Sequence, residues 1–507
     1  MLLVYPPVAK SCEPPAGIAR LAGVLRGHDI PCDVIDCNLE GMYYLLKMAK
    51  EPKDTWGKRA YKNQEENLDA IRNLKIYQNV DGYKRAVTEL NRIIGMVGQD
   101  YGLKLSLVNY HDPNSSPIQS DDLIESATFP ERNIFYPYFS DRLISIIESR
   151  QPEMIGFSLN YLSQAACTFA MAGFVKKMYP NLPIVIGGGL ITSWMRNPIW
   201  ENPFTEIVDH FVAGPGEDSL LALLNKENEG KALPPCYGDF PLAGYLSPGF
   251  ILPYAASYGC YWNKCSFCPE KAEGNSYVTL PSHFVGNEIR DLKSQYSPSL
   301  LHFLDNAISP SLMRYMIKNP PGFNWYGFAR VNSDLEDEEF CVSLRGSGCV
   351  MLKLGLESGD QGVLDKMEKG INLEMVAKSL RALKKAGIAT YVYLLFGTPA
   401  ESLVEARHTM DFVIKHHNEI SFLNLAVFNM PINSSECLGL DVNSFYDGDL
   451  SLYTDFLHPQ GWNRKEVRHF LDKEFKRNSL VSSIINRDPP FFTSNHAPFF
   501  CNMDDSV

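Results

Sequence analysis

The feature that most constrains the fold is a regular alternation of short apolar runs with amphipathic helical patterns. In the first part of the chain, residues 1–245, LLVY precedes the helix-like GIARLAGVLRGH, and the amphipathic AACTFAMAGFVKKMY precedes PIVIGGG. Apolar strands separated by helices are typical of a parallel sheet that helices cover on both faces. We therefore predict an α/β fold beginning with a doubly wound, Rossmann-like sheet, whose strands lie near residues 2–5, 32–36, 153–159, 183–189 and 208–214.

The stretch between the second and third predicted strands is long. It covers residues 42–150, with a charged helical pattern, KRAYKNQEENLDAIRNLK, followed by the turn formers HDPNSSPIQSDD. We predict a helical insertion and a loop there, packed on or beside the sheet.

A second series of strands and helices follows the Pro/Gly-rich boundary GYLSPGF. Its six βα units predict a partial (β/α)6 barrel over residues 246–435, with the chemistry at the carboxyl ends of the strands. The last part, residues 436–507, contains one basic amphipathic helix, RKEVRHFLDKEFKRNSLVSSI, and is expected to dock on the barrel. The barrel strands are expected near residues 251–257, 300–305, 324–330, 350–357, 389–397 and 422–428.

Composition narrows the class of protein. The 507 residues lack an apolar run of transmembrane length and the basic flank of a signal peptide, so we expect a cytoplasmic protein with no membrane partner. A net charge of −12 disfavours broad contact with a phosphate backbone, so no nucleic-acid partner is expected. Twelve cysteines in a reducing compartment are expected to be free thiols or metal ligands rather than disulfides.

Three of these cysteines lie close together, in GCYWNKCSFCPE. Cys260, Cys265 and Cys268 form a C-x4-C-x2-C pattern directly after the first strand of the second series. A structural zinc site needs four ligands, usually two separated Cys or His pairs, and fits this pattern poorly. An iron–sulfur cluster held by three thiolates fits better. Three ligands on a four-iron cube leave one iron open to a substrate or cofactor.

A three-cysteine loop after the first strand of a partial barrel resembles that of radical S-adenosylmethionine (SAM) enzymes. The resemblance implies a [4Fe–4S] cluster whose open iron chelates SAM, and cleavage of SAM to methionine and a 5′-deoxyadenosyl radical. The usual spacing is C-x3-C-x2-C, so this loop carries one additional residue between its first two cysteines.

Other motifs at the predicted strand ends are similar to those of the same family. FLDNAIS places Asp305 at the end of the second strand, and GFARVNSD places Arg330 where a cation would meet the SAM carboxylate. The resemblance also implies that Phe267 packs beside the adenine and that Glu357, followed by Ser358 in GLESGDQG, accepts hydrogen bonds from the ribose. In LLFGTPAES, the fifth-strand motif, Gly397 would line the adenine pocket.

The first part of the chain resembles the cobalamin-binding domain that precedes the barrel in a large radical SAM subgroup. Asn38 stands where methyl carriers of the D-x-H-x-x-G type have a histidine ligand to cobalt, so that ligand is not expected here. The alternative is a sheet without cobalamin, because glycine-rich loops after strands are common. The candidate cobalamin residues, all at predicted strand ends or, for Asn38, just after one, are Pro6, Pro7, Asn38, Ser158, Leu159, Asn160, Tyr161, Gly187, Gly188, Gly189, Gly214, Gly216 and Glu217.

The resemblance implies a cobalamin-dependent radical SAM C-methyltransferase that uses a 5′-deoxyadenosyl radical and methylcobalamin to methylate an unactivated carbon. The substrate class stays open between a peptide or protein side chain and a small molecule, and no single catalytic side chain is identified. An external electron donor such as flavodoxin or ferredoxin is expected. The alternative is a cobalamin-containing enzyme that catalyses a cyclisation, rearrangement or oxidation without methylation. A methylthiotransferase is less consistent with the sequence. Such an enzyme is expected to have a second cysteine triplet in its first domain, and residues 1–245 lack one.

Overall fold

A computed structural model describes residues 1–227, 233–444 and 447–501 and divides the chain into two compact units. The first unit comprises Met1–Phe250 together with Asp447–Leu452, and the second comprises Ile251–Tyr446 and Tyr453–Val507. In the described ranges, no helix is both long enough and apolar enough to cross a membrane.

The first unit is built on a five-stranded sheet with parallel pairing throughout. Strand β1 pairs with the edge strand β2 on one side and with the central strand β3 on the other, which gives the order 2-1-3-4-5. In this flavodoxin-like order the connections reverse direction between β1 and β3, where ligands of such sheets bind at the carboxyl ends. The strands are β1 (Leu2–Tyr5), β2 (Asp33–Asp36), β3 (Ile155–Ser158), β4 (Ile184–Gly187) and β5 (His210–Val212).

Helices connect these strands and form the long insertion between β2 and β3. Many of the insertion's apolar residues are buried, for example Leu90 and Ile93, which are 0% exposed. The sequence did not predict the short antiparallel hairpin within the insertion, Lys104–Leu105 with Tyr110–His111. The α-helices are Ala16–Gly27, Cys37–Met48, Thr55–Lys62, Gln64–Ile71, Val80–Asp100, Ser120–Thr128, Tyr136–Arg150, Leu162–Met178, Gly189–Met195 and Glu217–Leu223, with 3-10 turns at Leu74–Gln78, Pro130–Arg132 and Leu242–Gly244.

The second unit is built on a six-stranded parallel sheet whose strands are neighbours in chain order. This is the arrangement predicted for a partial barrel, and all six strands lie within two residues of the predicted ranges except the first, which ends three residues early. The predicted fold class is confirmed. The strands are β6 (Ile251–Tyr254), β7 (Leu300–Phe303), β8 (Trp325–Ala329), β9 (Cys349–Glu357), β10 (Ala389–Phe396) and β11 (Phe422–Val427).

The helices of the second sheet follow its strands in turn, and several begin at a side-chain cap. Asn372, for example, accepts a hydrogen bond from the backbone N–H of Met375 at 2.7 Å, which satisfies a donor at the start of helix Leu373–Lys385. A short antiparallel strand pair, Ser257–Tyr258 with Val278–Thr279, brackets the cysteine loop. The helices are Pro269–Ala272, Ser282–Tyr296, Pro310–Lys318, Glu338–Gly346, Gln361–Lys366, Leu373–Lys385 and Leu403–Lys415, with a 3-10 turn at Ser333–Glu336.

The C-terminal part corrects one prediction. The basic helix expected over 464–484 is two helices, Arg464–Lys473 and Ser479–Ile485, separated by a 3-10 turn at Phe475–Arg477. The break occurs because the Asn478 side chain accepts a hydrogen bond from the Leu480 N–H at 3.0 Å and so starts a new helix. A 3-10 turn, Ser435–Gly439, lies at the start of this part. Two of its strands, Val442–Ser444 and Tyr453–Phe456, form a three-stranded antiparallel sheet with Met430–Pro431, and the chain closes on the short helix Thr493–His496 and the 3-10 turn Ala497–Phe500.

Candidate functional site

The cysteine loop follows β6 at the carboxyl end of the second sheet. Cys265 is buried, Cys260 and Cys268 are half-buried, and all three are free thiols. In the part of the chain that the structure describes, no three His, Cys, Asp or Glu side chains are arranged to hold a single metal ion. Three thiols in one short loop nevertheless match the donor chemistry of an iron–sulfur cluster, whose several irons take one thiolate each. The residues present therefore fit a cluster.

Trp262 anchors this loop to the turn before Gly370. Its indole N–H donates to the carbonyl oxygen of Glu368 at 3.1 Å, and the backbone N–H of Ser266 donates to Met367 O at 3.1 Å. Gly370 has φ +65°, and a Cβ there would lie 2.1 Å from the Trp262 ring, so only glycine allows the ring to pack in this place. The turn thus fixes the middle of the cysteine loop.

Two cations lie beside the buried Cys265. The Arg330 guanidinium stacks on Trp262 at 3.8 Å from the ring centroid and donates to the carbonyl oxygen of Lys369. The Lys369 ammonium lies 5.5 Å from the centroid of the Phe267 ring. Burial raises the pKa of the Cys265 thiol, and the positive charges of Lys369 and Arg330 act in the opposite direction. These cations favour negative charge at this thiol, which suits a thiolate ligand.

Lys369 also pairs with Glu357 at the end of β9. The Lys369 Nζ to Glu357 Oε1 distance is 2.8 Å, and the side chains are only 10% and 13% exposed. Glu357 has φ +68° and follows a register irregularity between β9 and β10, so a local distortion of the strand directs its carboxylate. The sequence did not single out Lys369, which lies twelve residues after Glu357.

The structure thus brings together four of the predicted residues, Cys265, Phe267, Arg330 and Glu357, through Lys369. The predicted SAM residue Asp305 is 2% exposed, and its carboxylate accepts from Ala256 N at 3.1 Å and from Ser257 Oγ at 2.5 Å. It therefore ties the end of β7 to the strand that enters the cysteine loop.

The remaining two predicted SAM residues bond to the protein near the ends of β9 and β10. Ser358 is fully buried, and its hydroxyl lies 3.2 Å from that of Thr409. The backbone N–H of Gly397 donates to Glu401 Oε2 at 2.6 Å. Both contacts hold the loops that follow the strands. Whether these positions contact SAM stays a prediction.

At the first sheet, a buried glutamine joins the two loops at the switch point between β1 and β3. The Gln164 side chain donates to Pro6 O at 2.7 Å and accepts from the backbone N–H groups of Asn160 and Tyr161 at 3.0 and 3.2 Å. Gln164 is 0% exposed, whereas Tyr161 is 56% exposed. The sequence did not identify Gln164, which lies three residues after Tyr161, the residue that precedes helix Leu162–Met178.

The glycine-rich loop after β4 packs against the loop after β3. Asn160 accepts from the Gly189 N–H at 2.9 Å and donates to Ser158 Oγ at 3.0 Å. Gly188 has φ +112°, and a Cβ there would lie 2.5 Å from Leu159 O, so a side chain would separate the two loops. The predicted residues of β3 and β4, including Gly187 at the end of β4, therefore share one edge of the sheet.

Asn38 has an internal role. Its amide oxygen accepts from Ala9 N at 2.7 Å, and its amide nitrogen donates to Ser11 Oγ at 3.2 Å. The side chain is 3% exposed, and its hydrogen bonds position the loop after β1, which begins with Pro6 and Pro7. Nearby, burial raises the pKa of the Asp36 carboxyl to about 6, and Tyr245 donates to it at 2.5 Å.

The loop after β5 completes the edge. The Gly214 N–H donates to Thr192 Oγ1 at 2.9 Å, and no atom lies within 4 Å of where its Cβ would be. Gly216 precedes helix Glu217–Leu223, and Glu217 Oε1 lies 3.5 Å from Arg20 Nε. No atom covers the Cβ position of Gly214, and the Tyr161 ring is exposed, so a ligand can approach the backbone at this edge, which suits a corrin.

Comparison with known proteins finds a family match within the second unit. Residues 254–413 match the Radical SAM superfamily. These residues form a radical SAM domain, which confirms the resemblance predicted from the cysteine loop and implies a [4Fe–4S] cluster and SAM as cofactors.

Two curated relatives align with about two thirds of the chain. An uncharacterized methyltransferase of Pyrococcus horikoshii is 24% identical over 364 residues, which are 64% of this chain and 75% of that protein. The anaerobic magnesium-protoporphyrin IX monomethyl ester cyclase of Rubrivivax gelatinosus is 27% identical over 392 residues, 66% of this chain and 69% of that protein.

Two solved structures share the fold. The cobalamin-dependent SAM radical enzyme OxsB, with aqua-cobalamin bound, superposes with TM-score 0.53 and 15% identity, covering 67% of this chain and 61% of that one. This chain therefore spans about three fifths of the length of OxsB. The radical SAM methyltransferase TsrM from Kitasatospora setae, with cobalamin and a [4Fe–4S] cluster bound, has TM-score 0.52 and 16% identity over 88% of this chain and 81% of that one.

Proposed function

We propose that this protein is a cobalamin-dependent radical SAM methyltransferase that methylates an unactivated carbon of a peptide, protein side chain or small molecule. The observation that carries the proposal is the likeness to TsrM, which extends over 88% of this chain and so includes both sheets. A flavodoxin-like sheet followed by a radical SAM domain is the same order of parts that the sequence predicted.

The chain's own residues account for binding and shielding. Cys260, Cys265 and Cys268 hold the cluster, and Arg330 and Lys369 place positive charge beside it. When bound, the cluster, SAM and cobalamin together supply a 5′-deoxyadenosyl radical and a transferable methyl group. Glu357 is held in place for the ribose by its ion pair with Lys369.

The edge of the first sheet accepts the corrin in this proposal. Gln164 and Asn160 fix the loops after β1, β3 and β4, and the open space at Gly214 admits the ligand. The buried Asn38 supplies no ligand to cobalt, because its amide is used within the protein. Single electrons come from an external donor such as flavodoxin or ferredoxin.

A second candidate function is a cyclisation without methylation. The similarity to the magnesium-protoporphyrin cyclase over 66% of this chain favours it. The two candidates predict different products from SAM. Methyl donation converts SAM to S-adenosylhomocysteine, whereas reductive cleavage converts it to methionine and 5′-deoxyadenosine.

The test uses the full chain, reconstituted anaerobically with iron, sulfide and cobalamin and then supplied with SAM and a reductant. Methyltransferase function predicts both S-adenosylhomocysteine and 5′-deoxyadenosine, and 5′-deoxyadenosine alone would favour the cyclase. Cys265→Ala should abolish 5′-deoxyadenosine, whereas Cys341→Ala, in helix Glu338–Gly346, should not. Absence of 5′-deoxyadenosine from the cluster-loaded chain would refute both candidates.

A further inference from the structure

A groove lies on the helical insertion of the first unit, and none of the predicted cofactor residues lines it. It has a volume of about 570 Å³, within the range of small-molecule sites. Helices Cys37–Met48, Thr55–Lys62 and Gln64–Ile71 form its walls. The first of these begins at the carboxyl edge of the sheet, and the groove starts at Tyr43, about 9 Å further along the helix.

The charges of the groove are unbalanced. Lys47, Lys62 and Arg72 line it, with Glu65 as the only acidic lining residue. Within the described ranges none of these three cations forms an ion pair. An excess of positive charge in a concave site raises the local concentration of anions, here on a chain whose net charge is −12.

Arg72 is the most informative of the three. Its Nη2 donates to Gly244 O at 3.0 Å, its guanidinium lies 5.5 Å from the centroid of the Tyr43 ring, and its Nε is buried with no hydrogen-bond partner. Burial lowers the pKa of Arg72. A guanidinium partly withdrawn from water without a counter-charge is costly, and an anionic ligand in the groove would provide that charge.

The rest of the lining indicates the body of the ligand. Tyr43 and Tyr61 provide aromatic faces, with Leu46 and Leu68 between the helices. Aromatic walls around a few polar groups are typical of sites for small organic molecules.

We infer that this groove binds a small molecule with a carboxylate or phosphate group on a flat apolar body. The anionic group pairs with Arg72, Lys62 lies at the open side, and the apolar body packs on Tyr43 and Tyr61. This site is independent of the cluster, SAM and cobalamin, so the metal-free full chain tests it.

The experiment is calorimetric titration of the full chain with benzoate and phenyl phosphate, which separate the two anionic groups, and with inorganic phosphate, benzamide and benzylamine. We expect an aryl anion to bind, to bind more weakly as salt increases, and to bind better than phosphate, the neutral amide or the amine. Arg72→Gln should weaken that binding at least about tenfold. Arg132→Gln is the control, because Arg132 pairs with Glu125 on the exposed surface of the same insertion.

Because Arg72 also supports Gly244, circular dichroism must show that the variant is folded. If Arg72→Gln is not folded, Lys62→Met tests the inference in its place. Lys62 is exposed, so its loss should weaken binding about threefold without affecting folding. Equal affinities for the parent chain and the folded variant, equal binding of benzamide, or no binding of either aryl anion at millimolar concentration would each overturn the inference.

Discussion

At the scale of single residues, the site depends on a lysine that the sequence did not single out. Lys369 joins the Glu357 carboxylate, the Phe267 ring and, through its carbonyl oxygen, Arg330. The resemblance to radical SAM enzymes identified the other three, each of which stands at a strand end or beside a cysteine. Lys369 lies in a turn after a short helix, and the direction of its side chain depends on how that turn packs against the cysteine loop.

We predict that Lys369→Met lowers the free energy of unfolding of the metal-free chain by about 3 kcal/mol, because the buried Glu357 carboxylate loses its partner. The double variant Lys369→Met/Glu357→Gln should recover much of this loss. Urea denaturation followed by circular dichroism measures both. Lys378→Met is the control, because Lys378 pairs with Glu374 on the surface and should change stability by less than about 0.5 kcal/mol. Equal stabilities for Lys369→Met and the control would contradict this account.

Glu401 gives a prediction for pH. It is 0% exposed, accepts from Gly397 N and from the Trp462 indole N–H at 2.6 and 2.9 Å, and burial raises its pKa from 4.5 to about 7. The folded chain therefore holds this proton more tightly than the unfolded chain, so the contribution to stability is present below pH 4.5 and is lost as pH rises through 7.

Glu401→Gln keeps an acceptor and cannot ionise. We expect its stability relative to the parent chain to improve as pH rises from 4.5 to 7, in urea denaturation series at several pH values. Parallel stability curves for the two proteins would contradict the raised pKa. Glu374→Gln, at a carboxylate 78% exposed, should give parallel curves.

At the scale of elements, the turn at Gly370 and the cysteine loop are held as one piece. Gly370→Ala would place a methyl group 2.1 Å from Trp262, in a left-handed backbone conformation. Gly387→Ala is a matched control, since φ there is +75° and no atom lies within 4 Å. Both variants should lose about 1 kcal/mol from the backbone. Only Gly370→Ala should also bind less iron after reconstitution, because Trp262 moves with the loop; equal iron contents would refute the coupling.

The strands of both sheets could be predicted from the sequence because their apolar runs are local and continuous. The break in the helix expected over 464–484 could not be predicted, because the charge pattern continues through Asn478. The Asn478 side chain instead caps a second helix. The hairpin at Lys104–Leu105 and Tyr110–His111 is only two residues wide and carries no alternation long enough to detect.

At the scale of the whole molecule, the order of two parallel sheets could be predicted from the sequence. That a short segment late in the chain returns to the first unit could not. Asp447–Leu452 belongs to the first unit, although the residues on both sides of it belong to the second. Trp194 donates its indole N–H to Leu450 O at 3.0 Å, and Ser120 N donates to Asp449 Oδ1 at 2.9 Å. Hydrogen bonds between a side chain and the backbone leave no hydrophobic pattern in the sequence.

This return has a consequence for synthesis on the ribosome, where N-terminal domains generally fold first. The first unit is not complete when residue 250 emerges, because Asp447–Leu452 is translated about two hundred residues later. During that interval the Trp194 indole and the Ser120 backbone N–H lack their hydrogen-bond acceptors on Leu450 and Asp449, because the ribosome is still translating the radical SAM domain. The first unit therefore reaches its final packing only after the chain has been translated as far as Leu452.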